Sequence, residues 1–320
     1  MNARVLVTGA SGFVGRAVCV DLAQRGFTVR AVVRELSRAT DLPGELVRIA
    51  DIGADADWSS AFAGVDAVVH LAARVHVMRD DVLHPMAAYR AVNVAGTERL
   101  ARAAAAQGVK RFVYLSSIKV NGEGTLSGQP YTADDLPAPV DPYGISKREA
   151  EEELRRVGRE TSLETVIIRP VLVYGPGVKA NFLSMMRWLH KGVPLPLGAI
   201  HNQRSLVALD NLVDLVMTCL RHPNAPNQTF LVSDGQDLST TALLLRTAAA
   251  LGRQARLIPV PMPALQAAAR LLGKADVAQR LCGCLQVDIS KTRKMLGWVP
   301  PVSVDEALKQ TAQRFLADLC

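Results

Sequence analysis

Short apolar runs alternate with longer amphipathic stretches through the first half of the chain. The apolar runs have the length of buried β-strands, and they occupy residues 5–7, 27–33, 47–49, 67–71, 111–115 and 165–170. Val14, Val18 and Leu22 recur at helical spacing, and residues 90–107 and 143–159 form longer helical patterns. This alternation predicts an α/β fold, a doubly wound parallel sheet of the Rossmann type with right-handed crossovers.

Three glycines, Gly9, Gly12 and Gly15, separate the first predicted strand from the first helix. Gly9 allows a tight turn, Gly12 lets the backbone approach a pyrophosphate, and Gly15 lets helix and strand pack closely. The helix N-terminus adds unpaired N–H groups and a positive dipole end. The pattern predicts a dinucleotide site, although a plain βα turn can carry the same glycines. The predicted cofactor contacts in this turn are Gly9, Ser11, Gly12, Phe13, Val14 and Gly15.

The rhythm changes from about residue 171, where proline and glycine become frequent. Helices are predicted around 180–191 and 210–221, and residues 228–233 have the pattern of a further strand. The Ala/Leu-rich stretch 262–272 is predicted to be an amphipathic core helix.

The chain is therefore divided into two predicted parts. Residues 1–170 form a dinucleotide-binding Rossmann domain, and residues 171–320 form mainly a smaller substrate-binding lobe, with a stretch near 205–235 returning to the sheet. The lobe is expected to cap the carboxyl ends of the strands, where open α/β sheets bind ligands.

Arg34 stands at the end of the second strand, where a dinucleotide site usually has an acidic residue that bonds the ribose hydroxyls. A guanidinium suits a 2′-phosphate and offers no acceptor to a 2′-hydroxyl. We therefore favour NADP(H), with NAD(H) as the alternative; a plain surface arginine would have the same position. Asp51 and Ile52 follow the third strand and are predicted near the adenine, unless they form an ordinary solvated loop.

Tyr143 and Lys147 are four residues apart at the start of a predicted helix, so they share one face. Tyrosine carries protons poorly at neutral pH because its pKa is about 10, and a lysine cation stabilises the phenolate. Ser117, just past a strand, can bond a substrate oxygen that changes between carbonyl and alcohol. The three predict a redox site, although a helix-surface pair would show the same Tyr–Lys spacing.

Composition restricts the partners. The 320 residues are 49% hydrophobic, enough for a large core, and the net charge of +7 is spread without a basic, aromatic-rich run. An anionic substrate is therefore favoured over nucleic acid. The five cysteines suit neither a disulfide framework nor a zinc site, so no metal is predicted. Without a signal peptide or an apolar run of membrane-spanning length, we expect a cytoplasmic protein with no membrane partner.

Ordered motifs run along nearly the whole chain. In sequence letters they are TGASGFVG at 8–15, HLAA at 70–73, NVAGT at 93–97, SS at 116–117, YGISK at 143–147, RPVLVYGP at 169–176, DISK at 288–291 and LGWVP at 296–300. The chain resembles extended short-chain dehydrogenases/reductases of the NAD-dependent epimerase/dehydratase family, which act on nucleotide sugars.

The resemblance implies roles for individual residues. Ser117, Tyr143 and Lys147 match the catalytic triad, and Lys147 would also bond the nicotinamide ribose. The further cofactor contacts that it implies are Leu71, Ala72, Ala73, Asn93, Pro170 and Val173. Asn93 is equally well explained as an ordinary helix asparagine. On the substrate side, the resemblance implies contacts from Asn181 and Arg204. The charge of Arg204 fits the diphosphate of a UDP- or dTDP-sugar.

The resemblance also implies a homodimer formed through the helices at 90–107 and 143–159.

Two departures from the family pattern bear on the reaction and on the nucleotide contacts. Ile118 and Lys119 stand where dehydratases have an Asp-Glu pair, which argues against dehydration. Arg280 is out of step with the late diphosphate-binding arginine of the epimerases.

The segments SSIKVNGE at 116–123 and LQVDISK at 285–291 are most similar to a bacterial branch of surface-polysaccharide (lipopolysaccharide) enzymes. That branch includes reductases of UDP-4-keto-6-deoxy-N-acetylhexosamines. We therefore predict an NAD(P)-dependent oxidoreductase that transfers hydride at C4 of a UDP-linked sugar, as a 4-keto reductase or 4-dehydrogenase. The alternatives are a UDP-hexose 4-epimerase and a non-catalytic NADP(H)-binding sensor.

Overall fold

A computed structural model describes residues 3–75 and 85–319. Its strands are β1 (Arg4–Thr8), β2 (Thr28–Val33), β3 (Glu45–Arg48), β4 (Ala67–His70), β5 (Arg111–Leu115), β6 (Glu164–Pro170), β7 (Leu172–Tyr174), β8 (Leu206–Ala208) and β9 (Gln228–Val232). Seven of them form one parallel sheet in the order β3-β2-β1-β4-β5-β6-β9. The predicted doubly wound Rossmann sheet is confirmed, including the late strand that returns to its edge.

The helices are α1 (Phe13–Gln24), α2 (Pro85–Tyr89), α3 (Gly96–Ala106), α4 (Pro142–Glu160), α5 (Ala180–His190), α6 (Leu209–Arg221), α7 (Thr240–Ala250), α8 (Met262–Leu271), α9 (Ala275–Cys282), α10 (Ser290–Leu296) and α11 (Val304–Ala317). A π-helical turn, Arg90–Ala95, joins α2 to α3. The single helix predicted at 90–107 is therefore divided. None of the helices described is long and apolar enough to cross a membrane.

Alternate side chains of the strands enter two separate apolar cores. Val5 and Val7 of β1 pack in the core that contains residues of α1 and α6, whereas Leu6 packs in the core that contains residues of α3 and α4. This follows from the two-residue period of a strand, which sends neighbouring side chains to opposite faces. Both faces of the sheet are thereby covered, as a parallel sheet requires.

A third core lies outside the main sheet. It contains Tyr174 of β7, Phe182 of α5, Leu244 of α7 and Leu308 of α11. The short strands β7 and β8 pair in parallel beside it. Residues after 171 thus build a second packed unit, while α6 and β9 belong to the main sheet and its cover.

The prediction of a core helix at 262–272 is wrong. Helix α8 covers most of this stretch, but none of its residues is buried. An amphipathic pattern shows that a helix has an apolar face, and it does not show whether another element covers that face.

Candidate active site

The glycine turn after β1 brings three pieces of backbone into direct contact. Gly9 has a φ of +68°, and a Cβ added there would lie 2.8 Å from the Ala72 nitrogen. A Cβ on Gly15 would lie 2.1 Å from the Gly9 oxygen. Gly12 caps α1 without a side-chain hydrogen bond, so the first-turn N–H groups of α1 have no side-chain cap. Such a helix start is an anion-binding geometry.

We expect Gly15→Ala to weaken dinucleotide binding at least tenfold and to lower the free energy of unfolding by about 1–3 kcal/mol, because the added methyl must push α1 away from Gly9. The measurements are titration calorimetry with NAD⁺ and NADP⁺, and urea unfolding. Gly158→Ala is the control, since its Cβ would lie 3.1 Å from the Thr165 methyl carbon and 3.3 Å from the Leu163 oxygen, a much looser fit than at Gly15. Equal effects of the two changes would contradict a special role for the turn.

The direction in which successive strands are added to the sheet reverses between β1 and β4, which are parallel neighbours. From β1 the order runs to β2 and β3 on one side and from β4 to β5, β6 and β9 on the other. Thr8 and His70 are register partners at the carboxyl ends of these two strands. Open α/β sheets bind ligands at such a switch point. The glycine turn and the loop that begins at Leu71 both lie there.

A buried hydrogen-bond chain fixes the loop after β4. The Thr8 hydroxyl accepts from the Leu71 and Ala72 nitrogens at 3.2 and 3.3 Å, so its own proton goes to His70 Nδ1 at 2.6 Å. His70 Nε2 then carries the ring proton and donates to the Thr97 hydroxyl at 3.0 Å. Burial and the Lys147 charge lower the pKa of His70 to about 3. The imidazole is thus a neutral link between β4 and α3.

Because the pKa of His70 is lowered in the folded state, the unfolded chain takes up this proton first as the pH falls. The contribution of His70 to stability is present above about pH 6.5 and is lost from there toward pH 3, with a slope of about 1.4 kcal/mol per pH unit. We expect the free energy of unfolding of His70→Gln to fall less steeply than that of the unmodified protein between pH 6 and pH 4, by about 1.4 kcal/mol per pH unit. Urea unfolding across that range measures it, and an unchanged slope would contradict the assignment.

Asn93, in the π-helical turn, is buried and fully occupied. Its carbonyl oxygen accepts from the Arg74 nitrogen at 2.8 Å, and its amide donates to the Arg74 oxygen and the Ser146 hydroxyl at 3.0 and 2.9 Å. Asn93 therefore connects the loop after β4, which contains Ala73, to the helix that carries Tyr143. The resemblance implied that Asn93 supports the active-site geometry beside the cofactor, and these hydrogen bonds agree with such a support.

The adenosine-side predictions lie near the surface, with Asp51 exposed and Ile52 half-buried. Arg34 directly follows the end of β2 and is exposed. Asp51 accepts a hydrogen bond from the Gly53 nitrogen at 3.2 Å, as in a local Asx turn. The Ile52 carbonyl is packed against Gly96, where an added Cβ would come within 1.9 Å. This close approach fixes the position of the Asp51–Ile52 loop on α3.

Ser117, Tyr143 and Lys147 are brought together at the carboxyl end of β5. Ser117 caps the 3₁₀ turn Ile118–Val120, and Tyr143 and Lys147 lie one turn apart in α4. Burial raises the pKa of Tyr143 to about 12, while a hydrogen bond between the Ser117 and Tyr143 side chains lowers it. In the structure the group that lowers the Tyr143 pKa is thus Ser117, whereas the sequence predicted Lys147.

Lys147 is almost completely buried beneath the site. Its Nζ donates to the Leu115 carbonyl oxygen at 2.7 Å and lies 4.2 Å from the centroid of the Tyr114 ring. Burial lowers the pKa of Lys147 to about 7, and the Glu151 carboxylate acts in the opposite direction. A lysine in this state can change its charge near neutral pH.

A buried ion pair below these residues was missed by the sequence analysis. Glu151 and Arg169 are 0% and 2% exposed, with Nη2 and Oε2 2.6 Å apart and Nε and Oε1 2.9 Å apart. The Ser116 hydroxyl also donates to Glu151 at 2.6 Å, and Arg169 donates to Asn121 at 3.0 Å. The pair therefore joins α4 to β6 and to the residue preceding Ser117.

A second charged cluster joins the loop after Ser117 to the start of α4. Lys119 forms ion pairs with Glu123 and with Asp141, the latter at 3.1 Å. Asp141 caps α4 by accepting from the Gly144 nitrogen at 2.6 Å. The segment that departs from the dehydratase pattern thus has a structural function at the rim of the site.

The predicted substrate-side residues lie on separate elements. Pro170 ends β6 and Val173 lies in β7, whereas Asn181 is exposed in the first turn of α5. Arg204 donates to the Gly283 oxygen at 3.0 Å, and its backbone bridges to Leu238 and Leu285. Burial lowers the pKa of Arg204.

A parallel sheet of this strand order, with a glycine turn at its switch point, defines a protein with the Rossmann fold. Residues 5–233 match the NAD dependent epimerase/dehydratase family. The chain belongs to that family.

The chain is similar to several known proteins. The chain is 49% identical over 318 residues to a UDP-glucose 4-epimerase of Vibrio cholerae, a match that spans 99% of this chain and 96% of that protein. It is 28% identical to an N-acetyl-alpha-D-glucosaminyl-diphospho-ditrans,octacis-undecaprenol 4-epimerase of Escherichia coli O157:H7, over 98% and 95% of the two chains. The structure of MoeE5 in complex with UDP-glucose and NAD superposes with a TM-score of 0.77 at 26% identity, covering 99% and 100%.

Proposed function

We propose that this enzyme is an NAD-dependent 4-epimerase of a UDP-linked hexose. The observation that carries the proposal is the 49% identity, over 99% of the chain, to a UDP-glucose 4-epimerase. A reductase and an epimerase use the same Ser–Tyr–Lys set, so the residues alone did not separate them. The comparison favours the epimerase alternative over the 4-keto reductase that the sequence analysis preferred.

Each side chain of the site has a distinct role in this proposal. The nicotinamide ring, when bound, supplies a hydride acceptor and donor for C4 of the sugar. Tyr143 removes the proton from O4 and later returns it, while the Ser117 hydroxyl holds O4 in place. The hydrogen bond with Ser117 favours the Tyr143 phenolate, and Lys147, one helical turn from Tyr143, would hold the nicotinamide ribose. Return of the hydride to the opposite face of C4 inverts that carbon with no net redox change.

NAD(H) is the cofactor that best suits this reaction, because an epimerase regenerates the oxidised form within each turnover. The 26%-identical MoeE5 binds NAD together with UDP-glucose, which supports the same pairing here. Arg34 still favours NADP(H) on chemical grounds and in this respect supports the reductase candidate. For the substrate, Arg204 and Asn181 are proposed to meet the diphosphate.

We also propose a homodimer. An open groove of about 710 Å³ runs along α2 and the π-helical turn. Its lining is apolar or small at Met86, Ala87, Ala91, Val94 and Ala95 and charged at Arg90, Glu98 and Glu153. Such a face suits the packing of a second copy. Sedimentation velocity at micromolar concentration measures this, and a monomer would contradict it.

The epimerase proposal is tested with purified protein and no added cofactor. UDP-glucose and UDP-N-acetylglucosamine are supplied separately, and the products are resolved by chromatography. We expect conversion to the 4-epimer, no net change in absorbance at 340 nm, and release of NAD when the protein is denatured. Stoichiometric consumption of NADPH with a UDP-4-keto sugar, without interconversion of the hexoses, would overturn the proposal in favour of a reductase.

A further inference from the structure

The tip between α8 and α9 presents apolar side chains to solvent. Leu271 is 89% exposed, Leu272 is 72% exposed, and Val277 of α9 is 42% exposed. The two helices pack on each other, and Gly273, with a φ of +65°, makes the turn between them. A pair of adjacent leucines at a helix–helix turn is therefore in the most accessible part of this hairpin.

The part of the chain that contains this tip is basic. Residues 238–287 contain six Lys and Arg residues and a single acidic residue, Asp276, and one of the six, Arg246, pairs with Asp305 of α11. Arg270 and Lys274, on either side of the leucines, are both exposed. Arg253 and Arg256, which precede α8 in the chain, are exposed as well. An exposed apolar tip with cations on both sides is complementary to an anionic lipid surface.

This charge pattern argues against a second copy as the occupant of the tip. The whole chain carries a net charge of +7, and a symmetric contact through the tip would bring the cations of one copy against those of the other. Like charges facing each other across an interface oppose association. Lipid phosphates, in contrast, pair with Arg270 and Lys274 while Leu271 and Leu272 leave water.

We propose that the 270–274 tip docks the protein peripherally on an anionic lipid bilayer. At the end of α9 away from the tip, Asn202 donates to the Leu281 and Gly283 oxygens at 3.1 and 2.8 Å, and Arg204 donates to the same Gly283 oxygen. These bonds attach the end of α9 to the segment that contains Arg204. The proposal does not depend on which reaction the active site performs.

The test is co-sedimentation of the full chain with vesicles of phosphatidylcholine alone or with 30% phosphatidylglycerol. We expect binding to the anionic vesicles that weakens with added salt. Leu271→Gln with Leu272→Gln should weaken it on the order of tenfold. Arg270→Gln with Lys274→Gln should weaken it about 25-fold, or roughly fivefold for each cation, and should remove the preference for anionic vesicles. Leu136→Gln is the matched control, because Leu136 is also 89% exposed.

Two results would overturn the proposal. One is anionic-vesicle binding that the Leu271/Leu272 replacement leaves unchanged. The other is a self-association that this replacement abolishes in a protein that does not bind vesicles, which would make the tip a contact between copies. Turnover of UDP-sugars in solution by the same variants reports on folding and on the active site, so a failure of the proposed reaction remains distinguishable from a failure of docking.

Discussion

Replacement of Tyr143 by phenylalanine is expected to lower kcat for 4-epimerisation by roughly 10²–10⁴-fold, the usual contribution of a positioned proton-transfer group. The phenol is held by Ser117 and lies one turn from Lys147, so its removal takes away the proton carrier and leaves the packing of the ring. The measurement is conversion of the UDP-hexose under saturating substrate. The amount of bound NAD and the free energy of unfolding should stay near the values of the unmodified protein.

Tyr89→Phe is the matched control for this prediction. The Tyr89 ring packs edge-on against the Tyr143 ring, with centroids 6.3 Å apart, so the replacement removes a second phenol from the same cluster. We expect it to change kcat less than tenfold. If Tyr143→Phe retained full activity in the biological process that the protein serves, a non-catalytic sensor would replace the enzyme proposal.

Much of the fold could be predicted from the local pattern. Each strand of the main sheet overlaps a predicted strand, β3 by only two residues, and the glycine turn lies where the spacing of Gly9, Gly12 and Gly15 places it. These features depend on short-range chemistry: a run of β-branched residues, a positive φ, a close backbone approach. The positions of Ser117, Tyr143 and Lys147 followed from the same order of strands and helices.

Features that depend on distant partners could not be predicted. Glu151 lies in a helix rich in charged residues, and such a pattern is typical of a solvated face. Glu151 follows Tyr143 and Lys147 at the same interval of four residues. This spacing was the signal that the Glu151 side chain lies on the helix face that carries the site. Helix α8 shows the opposite error, because it has an apolar face although none of its residues is buried. The reaction could not be chosen from these residues, because a reductase and an epimerase share the same catalytic set; the 49% identity to a UDP-glucose 4-epimerase favours the epimerase alternative.

Replacement of Glu151 by leucine is expected to lower the free energy of unfolding by about 3–5 kcal/mol, because it leaves the buried Arg169 guanidinium without its partner carboxylate. The Ser116 hydroxyl loses its acceptor as well. Since Ser116 precedes Ser117, we also expect a fall in kcat that exceeds any change in KM. Urea unfolding measures the first effect, and the epimerase assay measures the second.

Two companion variants separate this buried pair from an ordinary ion pair. Glu149, in the same helix, pairs with Arg90 at 2.6 Å on the surface, and we expect Glu149→Leu to cost less than about 1 kcal/mol. The double replacement Glu151→Leu with Arg169→Met should recover part of the stability, since no charge is then buried alone. It should not recover kcat, because the Ser116 contact is still absent. A Glu151→Leu protein no less stable than Glu149→Leu would show that the pair does not hold α4 against β6.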